Sequence, residues 1–497
     1  MTPVKGASNE SARAEQDRAP FHEAMMEVLD RNILPFDTPG HRQGRGMPRE
    51  LHAFFTELGA AADVSLMESL GTPEEPAGAL AEAERLAAAF HGADAAVFSV
   101  NGTTALIHAM LLGTLCPGDA VLLPRNVHRS VTGGVILAGL VPIYMEPVYD
   151  ARFGIPHGVS PDAVASALAA HPEARAVLLV SPTYYGAASD LAAIADIVHR
   201  AGRLLLVDEA HGAHLCLSDR LPMPAMEAGA DMAAQSTHKL TGSLTQTSTL
   251  LLRRERVDEA RVRRASALLQ STSPNGLLLA SLDAARRQMA VEGPARAERA
   301  VELALRLRQS IRDMDGLRLL ETSHLDGAGA YALDVLKLTV NVSELGFTGR
   351  QAADFLLDEA GIAVELADAR NILCIISYAD TEETAARLLD GLRALCRQRR
   401  SKPAGTRCAS MVPTPQQILT PREAFFAPTE SVSFREAEGR VAGETLLFYP
   451  PGIPLVCAGE RLSGEVLDAL RLGMEAGLAV HGASDAGLNM IKVIVDV

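Results

Sequence analysis

A lysine stands in the polar turn Gln235-Ser236-Thr237-His238-Lys239-Leu240-Thr241-Gly242-Ser243, and upstream an aspartate closes the apolar run Leu204-Leu205-Leu206-Val207-Asp208. Each lies at the end of a segment apolar enough to be buried. An amine and a carboxylate so placed are what pyridoxal phosphate asks of a protein: the amine forms a Schiff base and the carboxylate meets the pyridinium nitrogen. In water a lysine near its ordinary pKa of ~10.4 is a poor nucleophile at neutral pH. Desolvation or a neighbouring cation frees the amine, and His238 is adjacent. An ionised Asp208 keeps the ring nitrogen protonated, and the ring then serves as an electron sink for the carbanion left when a bond to Cα breaks. The plain alternative is a solvated lysine in a loop.

The elements that position these residues alternate strand and helix. Strands are expected over Ala95–Val100, Ala120–Leu123, Val141–Met145, Ala176–Val180 and Arg203–Val207, and helices over Ala79–Phe90, Ala105–Leu115, Pro161–Ala170 and Leu191–Ala201. This pattern implies a mainly parallel sheet with right-handed crossovers. Polar residues recur just after the strands: Asn101, His128, Ser181, Asp208, and then Ser236 with Lys239. Ligands bind at that edge of an open α/β sheet. The turn Asn101-Gly102-Thr103-Thr104 precedes a helix, and backbone N–H groups with threonine hydroxyls there suit a phosphate; ordinary N-capping is the alternative. His128, in Pro124-Arg125-Asn126-Val127-His128-Arg129-Ser130, is either a ligand contact or a structural histidine. The turn Asp37-Thr38-Pro39-Gly40-His41 either sets a polar side chain or is a surface turn.

Further along, a helix is expected over Leu277–Met289 and a separate charged one over 295–315, bridging to a second domain. Residues 317–396 alternate strands (Tyr331–Val335, Leu338–Val342, Ile372–Ile376) with helices (Gly349–Glu359, Glu382–Cys396). The expected organisation is a disordered terminus over 1–20, an arm over 21–56 and a large domain over 57–310. A small α/β domain follows over 311–396, then a linker over 397–411 and a C-terminal domain over 412–497.

Composition bounds the partners. Of 497 residues 48% are apolar and 22% charged, a globular balance, and the net charge of -15 argues against nucleic acid. Six cysteines without a CxxC pair give no support for a metal site, and scattered cysteines suit a reducing cytoplasm. No run reaches the ~18 apolar residues of a membrane span.

The chain resembles the Orn/Lys/Arg decarboxylases, in particular the compact bacterial arginine/lysine group without a receiver-like wing domain. The stretches that carry the resemblance are DTPGH (37–41), NGTT (101–104), PRNVHRS (124–130), SPTYYG (181–186), VDEAHGAH (207–214), STHKLTGSLTQTS (236–248), TSP (272–274), GIAVELAD (361–368), and AEGRVAGE with YPPGIP (437–454). The resemblance implies the aspartate-aminotransferase-like fold of pyridoxal 5'-phosphate enzymes, fold type I, with a small α/β domain and a C-terminal α+β domain. It implies that Lys239 carries the cofactor, Asp208 meets the pyridine nitrogen and His128 stacks on the ring. Thr103, Thr104, Ser236 and His238 surround the phosphate, and His211 lies beside the ring to place substrate or handle protons. The implied reaction removes the α-carboxylate of an amino acid as CO2, in a homodimer or higher homo-oligomer, within polyamine biosynthesis.

Substrate choice is where the sequence departs from the family. Residues 63–76 replace an Asp-Asp-Leu-like stretch before a proline. A cationic side chain needs carboxylates, and Glu74, Glu75, Glu365 and Asp368 are the candidates, with arginine preferred over lysine or ornithine. Three other readings remain: decarboxylation of a non-basic amino acid, another fold type I reaction such as transamination or aldol cleavage, with Arg370 as the arginine that would hold an α-carboxylate, and a catalytically silent relative.

Overall fold

The computed structural model describes residues 15–30, 70–71, 77–325, 329–400, 414–448, 452–475 and 477–495. The DTPGH turn, Glu74 and Glu75 lie outside the described residues.

Seven strands form the principal sheet: β1 (Ala95–Ser99), β2 (Ala120–Pro124), β3 (Val141–Met145), β4 (Ala174–Val180), β5 (Leu204–Asp208), β6 (Met232–Gln235) and β7 (Ser248–Leu252). Their order is β1-β7-β6-β5-β4-β2-β3. β2 pairs in parallel with β3 and β4, and β5 with β6; β7 runs antiparallel to both neighbours. Every residue of β1, β2, β6 and β7 is buried. Strands covered on both faces read as continuous apolar runs rather than alternating ones.

The chain divides into two compact units: Met1–Thr114, Leu206–Ser218 and Met223–Arg296 form the first, and Leu115–Leu205, Asp219–Pro222 and Ala297–Val497 the second. In the first, the helix after β1 begins at Gly102 and runs to Thr114, three residues earlier than the expected start at Ala105. The turn of small polar residues is therefore the first turn of the helix itself. It packs on the helix Glu259–Leu269, which the sequence reading did not anticipate. The approach is close at Gly113, where a Cβ would sit 2.8 Å from Val262.

The break expected between Met289 and residue 295 is absent. One helix runs from Gly276 to Arg312 with Pro294 inside it. A proline removes one i→i−4 hydrogen bond. The buried stripe continues through it, from Leu279, Leu282, Ala285 and Met289 to Ala297, Val301, Leu307 and Ile311, and this packing offsets the lost bond.

In the second unit, a four-stranded antiparallel sheet has the order β8-β9-β11-β10, with β8 at Arg318–Leu319, β9 at Lys337–Asn341, β10 at Leu366–Ala367 and β11 at Asn371–Ile375. Helices Gly349–Ala360 and Glu382–Arg397 pack together, the former against β11. Both begin at threonine capping boxes, Thr348 and Thr381, which satisfy first-turn N–H groups. The C-terminal segment pairs β12 (Thr429–Ser433) with β16 (Met490–Ile494). Beside them it forms a sheet of β14 (Ile453–Val456), β13 (Leu446–Phe448) and β15 (Val480–His481). Leu446, Val456, Val466, Leu470, Ile491 and Val493 are its core, with the helix Gly464–Glu475. Among the described residues no helix is long and apolar enough to cross a membrane.

Candidate active site

In the first unit the ends of β5 and β6, paired in parallel, carry most of the chemistry. Asp208 ends β5 and is 3% exposed. Its Oδ1 accepts from Ala210 N at 3.1 Å; among the described residues no second donor reaches it. Burial pushes its carboxyl up to about 6, against the pull of the Lys239 charge and of the Ala210 hydrogen bond. β6 ends at Gln235 and leads through Ser236 into a single helical turn, Thr237–Leu240. There Lys239 Nζ and His211 Nε2 share a hydrogen bond of 2.9 Å. His211 is buried and Lys239 half-buried, so lysine and imidazole form a proton-sharing pair partly shielded from bulk water.

The hydroxyls of Thr103 and Ser236 meet at 2.6 Å, both buried. They join the first turn of the helix Gly102–Thr114 to the turn that carries Lys239. Gly102 has φ +73°, its N–H donates to Gln246 O at 2.8 Å, and nothing lies within 4 Å of where a Cβ would be. A helix N-terminus that opens on space beside two hydroxyls suits an anion. Thr104 is exposed on the same turn. His238 Nδ1 bonds Thr247 O at 2.8 Å, which makes Nδ1 the protonated nitrogen of the neutral ring.

The sequence reading missed Glu209. It is fully buried, accepts Gln235 Nε2 at 2.8 Å and Ala225 N at 2.7 Å, and ties the two strand ends together side chain to side chain. Burial pushes its carboxyl up to about 7, opposed by those hydrogen bonds and aided by the Asp208 charge. The signal available was its place in VDEAH, beside Asp208.

In the second unit, His128 is the half-buried N-cap of the helix Arg129–Ala138. Ser130 N donates to its Nδ1 at 3.2 Å, and the Ser130 hydroxyl lies 2.8 Å from the same atom. An Nδ1 that accepts from a backbone N–H leaves the proton of the neutral ring on Nε2.

The two described carboxylate candidates for substrate differ. Asp368 accepts Tyr185 Oη at 2.9 Å, Arg370 N and Asn371 N at 2.7 Å each, and Asn371 Nδ2 at 2.9 Å. Burial raises its carboxyl above the ordinary value, opposed by the Asn371 side chain and the backbone donors. Glu365 is exposed and lines a cavity of about 370 Å³ with Asp380 and Arg387. Arg370 Nη1 donates to Ala151 O at 3.2 Å.

Pyridoxal phosphate needs an amine, a buried anion for its ring nitrogen and a cradle for its phosphate. Lys239, Asp208 with its open acceptor capacity, and the Gly102 turn with the Thr103–Ser236 hydroxyl pair fit those needs. Fold and site together define a pyridoxal-phosphate enzyme of fold type I. Residues 19–384 match the family described as Orn/Lys/Arg decarboxylase, major domain, and residues 405–480 match its C-terminal domain. The chain belongs to the Orn/Lys/Arg decarboxylase family. It is 40% identical to an arginine decarboxylase of Bacillus anthracis over 486 residues, 97% of this chain and 98% of that one. It is 38% identical to an arginine decarboxylase of Bacillus subtilis over 481 residues, 96% and 98% of the two chains. The solved structure of lysine decarboxylase A from Pseudomonas aeruginosa superimposes with a TM-score of 0.84 at 23% identity, covering 97% of this chain and 81% of that one; at that identity it speaks for the fold. The protein is a pyridoxal-phosphate-dependent decarboxylase.

Proposed function

We propose that the protein decarboxylates L-arginine, with lysine and ornithine as weaker substrates, and releases CO2 and the corresponding amine. The observation that carries this reading is the buried Asp208 beside the Lys239–His211 pair, in a chain 40% identical over nearly its whole length to an arginine decarboxylase. When bound, pyridoxal phosphate supplies the sink for the electron pair left at Cα when CO2 departs. Lys239 would hold the cofactor through Nζ, and Asp208 would hold its ring nitrogen. Thr103, Thr104, Ser236 and His238 hold the phosphate. His128 would bind and orient the cofactor's ring. His211 Nε2 exchanges a proton with Lys239 Nζ, and this pair returns a proton to Cα. The buried surroundings of Asp208, His211 and Ser236 exclude water that would otherwise compete for that proton.

Glu365 is our candidate for the cationic end of the substrate, with Glu74 and Glu75. Asp368, whose oxygens are occupied by local donors, supports the segment rather than the substrate. The reading also makes a homodimer the smallest active assembly, in the cytoplasm, with a product that feeds polyamine biosynthesis. The described cysteines are all free, which suits a reducing compartment.

The test is incubation of the cofactor-loaded protein with a panel of L-amino acids, scoring CO2 and amine against 2-oxo acid. Amine and CO2 in equal amounts, fastest with arginine, are expected. Formation of 2-oxo acid, or a preference for an uncharged amino acid, would overturn the proposal.

A further inference from the structure

The turn that presents His128 is short, and a different part of the chain grips it on both sides. Arg125 directly follows β2 and is 8% exposed. Its Nη1 and Nη2 donate to Glu460 Oε1 and Oε2 at 2.7 and 2.8 Å, and Nη2 also reaches Leu455 O at 3.0 Å. The guanidinium lies 4.7 Å from the centroid of the Tyr144 ring. Glu460 is itself fixed, because Cys457 N donates to its Oε2 at 2.7 Å. On the other side of His128, Arg129 N donates to Gly452 O at 3.2 Å. At the far end of the helix Arg129–Ala138, Arg422 Nη1 donates to Ile136 O and Leu137 O at 3.0 and 2.9 Å. These partners, Glu460, Leu455, Gly452 and Arg422, all belong to the C-terminal segment. A bidentate, desolvated Arg–carboxylate pair fixes direction as well as distance. It is a poor choice for stability alone, since apolar side chains of similar volume often do as well in such a site.

We propose that the C-terminal domain acts as a positioning clamp for His128, with Arg125 and Glu460 as the positioning residues. The clamp sets the height and tilt of the imidazole through the turn 125–129. This inference rests on the reading that His128 lies over the cofactor ring.

The test compares the cofactor-loaded protein with the double variant Arg125→Met/Glu460→Leu, with Glu460→Gln, and with each in a His128→Ala background. The readouts are the visible circular dichroism of the bound cofactor, the cofactor dissociation constant, kcat/KM and the unfolding midpoint. The double apolar variant is expected to unfold near the parent's midpoint. Its dichroism is expected to fall, cofactor binding to weaken about tenfold, and kcat/KM to drop by on the order of tenfold to a hundredfold, as misplacement of a reacting geometry does. In the His128→Ala background the same replacements are expected to add less than about twofold, because they act through that residue. A folded double variant with unchanged dichroism and kcat/KM overturns the clamp, and so does full additivity with His128→Ala. If the double variant does not fold, Glu460→Gln decides by the same readouts. A silent His128→Ala, by contrast, overturns the ring-stacking reading itself.

Discussion

Two buried aspartates, Asp208 and Asp368, show how differently a carboxylate can be used. Burial raises both above the ordinary value. Among the described residues Asp208 accepts one hydrogen bond, from Ala210 N, while Asp368 is surrounded by the Tyr185 hydroxyl, two backbone N–H groups and the Asn371 amide. A buried charge without enough donors is unstable unless a cation joins it. Lys239 supplies one such charge, and under our proposal the remaining acceptor capacity of Asp208 serves a protonated ring nitrogen. Asp368 has its partners already and works as a local brace between the 181–186 loop and β11. Burial and a raised pKa are common to both, so neither separates them; the acceptor capacity left at Asp208 does, and our proposal uses it.

The largest effect expected from breaking this contrast is at Lys239, the cation that faces Asp208. Lys239→Ala should remove the visible absorption band of the bound cofactor and all measurable decarboxylation, with the fold kept by circular dichroism. Retained turnover would contradict the assignment.

Asp208→Asn should lower kcat by on the order of a thousandfold or more while leaving the cofactor-free protein at least as stable as the parent. The sign follows from the raised carboxyl. Its folded value of about 6 lies above the ordinary 3.8, so the folded state holds the proton more tightly than the unfolded one. Stability therefore falls as pH rises from about 4 to 6, by on the order of 1–3 kcal/mol for this group. Glu209 adds a loss of the same sign toward pH 7. Denaturant titrations of the cofactor-free protein across pH 4–7 should show a flatter profile for Asp208→Asn than for the parent. An identical slope would mean that Asp208 is not desolvated as described.

Glu365→Gln should raise KM for arginine by roughly tenfold to a hundredfold with a smaller change in kcat, the pattern of a lost substrate-binding contact. The smallest catalytic effect is expected at Asp368→Asn. Its cost should appear as about 1–3 kcal/mol of stability, since a buried hydrogen-bonded charge is lost among donors set to receive it, with kcat within a fewfold. A large change in substrate preference there would erase the contrast with Asp208.

The sequence made legible whatever depends on local pattern. Apolar runs such as Leu204-Leu205-Leu206-Val207 located the strands, and polar residues just after them located the strand-end edge that carries Asp208 and Lys239. Long-range pairing was out of reach. Nothing in the sequence couples Arg125 to Glu460 or Tyr185 to Asp368, and these pairs decide which polar residues are free for chemistry. The expected helix break near Pro294 did not occur, because proline chemistry is local while the buried stripe through it is set by tertiary packing. Glu209 was missed for a related reason: beside a functional aspartate it reads as a spare acid, and only its burial and its Gln235 partner show it as the tie between β5 and β6.

The most direct test of the account is to locate the cofactor. The loaded protein is reduced with borohydride, digested, and its peptides sequenced by mass spectrometry. A single pyridoxyl-modified residue is expected, Lys239, with loss of the label in Lys239→Ala. A label on another lysine, or none in protein that still decarboxylates arginine, would contradict it.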